Sequence, residues 1–150
     1  MPSRYQSWAT TQTLAEGLAE YYAVNPTFAG ETDLLGQPRA TVVAHDVCHV
    51  LLGLGAGSEE ELVVEVFTAL GCSFSFRDVA AFRKKAFATA LLRTFGVRRL
   101  LRRLVVSLPR VLRAAWACLR MTRRWPHQAW QPYQDVPLVQ LRRQFGLRPV

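Results

Sequence analysis

Cysteine is scarce in this chain and long apolar runs are absent. Cys48, Cys72 and Cys118 are odd in number and widely spaced, with no Cys-x-x-Cys among them. That argues against a disulfide framework or a thiolate zinc site and fits a reducing compartment. No uncharged apolar stretch reaches the roughly 18 residues that a spanning helix needs, and Met1 to Ser7 lack the basic region and apolar core of a secretory signal. A soluble or peripheral protein is expected. No alternating strand pattern persists anywhere, so the expected fold class is all-α.

Acidic residues are missing from a long interval. None lies between Asp78 and Asp135. Residues 1 to 78 hold three Arg against ten acids, a balance of minus seven, while residues 79 to 150 hold sixteen Lys and Arg against Asp135 alone, or plus fifteen. The net charge of +8 therefore conceals two opposite halves. Such segregation suggests that the second half meets something anionic.

With 150 residues, half of them hydrophobic, the chain suffices for one domain, and about six helices are expected within residues 1–150. Leu14, Leu18, Tyr21 and Tyr22 recur at helical spacing within a first helix from Thr10 to Val24, ended by Asn25-Pro26. Residues 26 to 38 read as a loop, after which a helix begins near Arg39 or Ala40. Another can run from Asp78 or Val79 to Phe95. From Val97 to Arg124, nine arginines alternate with Leu, Val, Ala and Trp116 in a basic amphipathic helix bent or broken at Pro109. A solvated charged face, an anionic membrane surface and nucleic acid all fit that helix. Few Ser, Thr, Asn or Gln accompany its arginines, which disfavours nucleic acid, whereas Trp116, Trp125, Trp130 and Tyr133 suit either a lipid interface or a core. Residues 125 to 137 read as irregular around three prolines, and a last short helix ends at Gly146.

The stretch from Val42 to Gly53 carries the chemistry. His45 and His49 stand one helical turn apart and Asp46 three residues before His49, so all three share an arc. Their neighbours are apolar, and burying two imidazoles and a carboxylate without partners costs several kcal/mol, which a shared metal removes. Gly53, Gly55 and Gly57 lack the Gly-Lys-Ser/Thr of a phosphate loop and read as a tight turn. Beyond them Ser58 is a candidate N-cap, and a helix from Glu61 to Leu70, packed as a hairpin, returns Glu61 beside the histidines as a fourth ligand. Glu61 also completes a Ser58-x-x-Glu61 capping box, and the histidines also fit a core. A His-Glu-x-x-His protease is disfavoured by the shorter Asp46 and by the lack of a third histidine.

His45-Asp46-x-x-His49, eleven residues, then Glu61 resembles the signature of the fourth Coq protein family of ubiquinone (coenzyme Q) biosynthesis. The likeness extends through His49-Val50-Leu51-Leu52-Gly53 and Glu61 to Phe67, is closest over about residues 40 to 76, and returns weakly in Leu138 to Leu147. It departs at Glu65, where the family often has a basic residue, and in a final helix poorer in acids. The resemblance implies a helical, metal-binding peripheral membrane protein with His45, Asp46, His49 and Glu61 as ligands to a divalent ion, usually zinc. It implies polyprenylated quinone precursors as ligands, with the isoprenoid tail between apolar helices and the head group at the metal. Two roles follow from it: an oxidative decarboxylase, hence a lyase, acting at ring carbon one, or a non-catalytic lipid-binding scaffold that organises the other quinone-biosynthesis enzymes. Expected partners are those enzymes, an anionic membrane surface and further copies of the chain. The expected location is the cytoplasmic side of a bacterial inner membrane, or the matrix side of the mitochondrial one.

Overall fold

A computed structural model describes residues 2–29, 39–73 and 97–149, with side chains in the last segment from residue 107 onward. Helix α1 (Leu14–Val24) starts where the sequence offers a reciprocal cap. The Glu16 amide donates to the Thr13 hydroxyl at 3.2 Å and the Thr13 amide to the Glu16 carboxylate at 2.8 Å. Satisfying those two donors fixes the start at Leu14 rather than Thr10. The N-terminus of α1 is also tied down, since the Leu14 amide donates to the Val136 carbonyl and the Leu138 amide to the Gln12 carbonyl.

Helix α2 (Arg39–Leu52) begins where expected and buries Ala44, Val47, Val50 and Leu51 completely. It stops at Gly53, whose φ of +67° is left-handed. There the Gly53 amide donates to the Val50 carbonyl and the Leu54 amide to the His49 carbonyl, so two terminal carbonyls are satisfied in the turn. A Cβ at Gly53 would also lie 3.0 Å from the Gln6 carbonyl oxygen. Only glycine fits both demands.

The next helix, α3 (Ser58–Gly71), is capped by Gly57 without a side-chain bond. Ser58 is therefore its first residue and not its cap, and the Ser58–Glu61 capping box does not form. Glu59, Glu60 and Glu61 occupy the first turn, where negative charge meets the positive end of the helix dipole.

Two short strands, β1 (Cys72–Ser73) and β2 (Trp125–Pro126), pair in parallel. They are absent from the expectation because two residues are too few to display alternation. Helix α4 (Val97–Leu119) continues through Pro109 rather than breaking there, and ends short of the expected Arg124. Helix α5 (Leu138–Phe145) ends in Gly146, φ +67°. The helix expected between Asp78 and Phe95 lies outside the described residues.

Five α-helices and one strand pair among the described residues make the architecture all-α, as the sequence implied. Helix α2 is central, with α1 and α3 against it, α5 near its C-terminal end, and α4 along α3. Trp125 is fully buried and packs on Phe145 and Tyr133 at centroid distances of 4.9 and 5.2 Å. It is a core residue, and of the aromatic group only Trp116 is largely exposed, at 60%.

Candidate metal centre

Helical spacing on α2 puts the His45 and His49 rings together, with their Nε2 atoms 3.2 Å apart. The glycine turn then brings the first turn of α3 across them. Glu61 Oε2 lies 3.2 Å from His45 Nε2, and Glu61 Oε1 lies 3.3 Å from His49 Nε2. Ligand atoms of these three residues all fall within 4.8 Å of one another, a group that can hold a metal ion.

The tautomer of His49 follows from its other nitrogen. Nδ1 sits 2.7 Å from the Gly55 carbonyl oxygen, an acceptor, so Nδ1–H donates there and Nε2 is left with its lone pair facing Glu61. A backbone carbonyl behind a ligating imidazole is the usual arrangement for orienting it toward a metal. Tyr21, itself buried, stacks on the His49 ring at 5.5 Å and fixes its plane. His49 is completely buried, while the His45 and Glu61 side chains are 28% and 41% exposed. The group therefore opens to solvent along its His45–Glu61 edge.

Asp46, the fourth residue of the expected set, goes elsewhere. It is 4% exposed and accepts a 2.9 Å hydrogen bond from the Tyr22 hydroxyl of α1. Arg39 in turn lies over the Tyr22 ring at 4.9 Å and donates to the Phe28 carbonyl. Burial raises the Asp46 carboxyl above its ordinary range, against the Tyr22 hydrogen bond and the nearby histidines and Arg39. Glu65, one turn beyond Glu61, is likewise raised by burial, with His45 opposing. Neither Tyr22 nor the Gly55 carbonyl was singled out from the sequence as part of a site. Tyr21 and Tyr22 read as core or rim residues, and no spacing rule links a loop carbonyl to a ring six residues earlier.

Without a metal, a proton takes its place. Burial alone would lower His45, but the Glu61 carboxylate beside it pushes it up to about 9. Glu61 is raised by burial, yet the hydrogen bond from His45 and the adjoining His49 ring outweigh that and hold it at about 2. For His45 the folded value exceeds the ordinary 6.5, so the pair's contribution is complete below about pH 6.5 and fades as pH rises through about 9. For Glu61 the folded value is below the ordinary 4.5, so the same contribution is lost as pH falls from about 4.5 through about 2. Urea unfolding of metal-free protein should therefore show a lower midpoint above pH 9 than near pH 6, and the difference should vanish in His45→Gln. Binding of a divalent ion at neutral pH should also release about one proton, measurable by calorimetry in buffers of different ionisation enthalpy.

Cys48 and Cys72 are buried free thiols; the Cys48 thiol donates to the Ala44 carbonyl at 3.3 Å, with Cys72 and His127, the latter 1% exposed, beside it. Among the described residues the group of candidate metal ligands is His45, His49 and Glu61, without His127.

No family model, curated protein or solved structure matches the chain when it is compared with them.

Proposed function

We propose that the chain binds a divalent metal, zinc foremost, at His45, His49 and Glu61. The metal would hold the oxygen-bearing head group of a polyprenylated benzenoid precursor in ubiquinone biosynthesis. One observation carries this reading: two imidazoles and a carboxylate, brought from two helices by a glycine turn, gather their ligand atoms within 4.8 Å. Two His and one Glu is a donor set of catalytic zinc sites, and the resemblance to the fourth Coq protein family supplies the substrate class. The metal would act as a Lewis acid on a ring or carboxyl oxygen as charge develops during loss of carbon dioxide. The chain's own residues set the donors' geometry: Gly55 and Tyr21 orient His49, and Glu61 offsets part of the ionic charge.

The scaffold reading has its own support in α4. Leu108, Leu112, Trp116 and Leu119 are 46%, 60%, 60% and 73% exposed and follow one another at spacings of four, four and three, a single apolar stripe. No described helix is long and apolar enough to cross a membrane, so such a stripe suits the surface of an anionic bilayer at the expected inner-membrane location. Several arginines near it are already engaged. Arg110 pairs with Glu59 at 2.6 Å, Arg124 donates to the Leu70 carbonyl, and Arg123 donates to the Tyr133 hydroxyl. Fewer charges than the sequence suggested are left for headgroups.

Metal analysis of purified protein tests the site, with His49→Ala expected to lose the ion that the parent retains; equal content in both would discard it. Incubating the parent with metal and a carboxylated prenyl-phenol in air should release carbon dioxide. Release that persists in Glu61→Gln would remove catalysis at this centre and leave the scaffold role.

A further inference from the structure

We infer that Asp46 does not ligate the metal, and that the centre has three protein ligands and a position open to an exchangeable anionic oxygen donor such as a carboxylate or phenolate. This rests on the metal reading above and goes beyond it, since the sequence pattern alone puts Asp46 among the ligands. Three observations bear on it. The Asp46 carboxylate is excluded from the group of mutually close donor atoms that His45, His49 and Glu61 form. It is held at 2.9 Å by the Tyr22 hydroxyl, on a ring covered by Arg39. At 4% exposure it has little free space in which to swing away from that partner.

Charge and access then specify the occupant. A divalent ion with two neutral imidazoles and one carboxylate keeps one positive charge. That charge of the coordination shell sits beside the fully buried His49, and a single external anion in the open position would balance it within the shell. Were Asp46 a ligand, the coordination shell itself would already be neutral and the fourth position filled. The 28% and 41% exposure of the His45 and Glu61 side chains gives the anion a path from solvent. A hard oxygen donor suits a centre that already combines nitrogen and carboxylate ligands.

Cobalt(II) substitution reads the coordination shell directly through its visible absorption. The parent protein should bind one cobalt ion, and acetohydroxamate should shift the spectrum in a saturable way. Asp46→Asn, which keeps an acceptor for Tyr22, should bind cobalt within about tenfold of the parent affinity, with the same spectrum and the same response. Glu61→Gln should lose more than about tenfold, the least expected for a residue in the coordination sphere. A spectrum unmoved by acetohydroxamate would overturn the open position, and an altered spectrum or a larger affinity loss in Asp46→Asn would restore Asp46 as a ligand. The parent titration stands even if a variant fails to fold. Absence of cobalt binding in the parent would instead defeat the metal reading itself, so the two failures are distinguishable.

Discussion

Arg142→Met should lower the melting temperature by roughly 6–20 °C, the largest effect on stability expected from a single side chain here. Arg142 is 2% exposed, and among the described residues no acid pairs with it. Its guanidinium instead donates to four backbone carbonyls: Nε to Leu51 at 2.9 Å, Nη1 to Ser7 at 2.6 Å, and Nη2 to Tyr5 at 2.7 Å and Val50 at 3.1 Å. Two of those acceptors are terminal carbonyls of α2, where the helix dipole favours a cation, and the other two belong to the segment before α1. One side chain on α5 therefore ties together three parts of the chain. Burial lowers its pKa to about 10, which leaves it charged at neutral pH.

Methionine matches the apolar stem of Arg142 but takes a donor from every one of these carbonyls; those of Val50 and Ser7 keep the Gly53 and Thr10 amides, whereas those of Leu51 and Tyr5 are left stranded, each at about 1–3 kcal/mol when water cannot reach it. Allowing for partial rescue by water, about 3–5 kcal/mol is lost, and at roughly 2–4 °C per kcal/mol the fall follows. Arg142→Lys should recover only part of it, because a single ammonium cannot span four acceptors arranged for a planar fork. Thermal unfolding followed by circular dichroism reads both variants. A fall of less than about 2 °C for Arg142→Met would mean that water or a shifted backbone replaces the bonds.

The fold class and the hairpin were legible because they rest on local rules. His45 and His49 share a face by the 3.6-residue period, Gly53 ends α2 because no other residue accepts its backbone there, and Gly146 does the same for α5. What sequence left open depends on which neighbour arrives. Asp46 was equally able to face the histidines or α1, and it faces α1 because Tyr22 presents a hydroxyl at that point. Arg142 entered only as one of the sixteen basic residues of the second half, since nothing local announces that four carbonyls from distant segments will surround it. Trp125 suited a lipid interface or a core, and Phe145 and Tyr133 closing around it decide for the core. The arginines of α4 illustrate the same limit: composition counts charges, while only packing tells that Arg110 is matched by Glu59.

The same dependence on long-range neighbours makes metal the second large lever on stability. Zinc added at about a hundred times its dissociation constant should stabilise the parent protein by about 2.7 kcal/mol, because the unfolded chain does not assemble the three donors. At this size that is roughly 5–10 °C in melting temperature, reversed by a chelator. Glu61→Gln should cut the shift to about half or less while leaving the metal-free protein folded. Its side chain is 41% exposed, and glutamine keeps both the shape and a carbonyl oxygen. His49→Ala should lose the shift and also lower the metal-free melting temperature, since a fully buried ring stacked on Tyr21 is replaced by a cavity. The two variants thus separate the centre's chemistry from its packing. An equal zinc-induced shift in the parent and Glu61→Gln would place the ion elsewhere and leave the convergence of α2 and α3 as a hydrogen-bonded core contact alone.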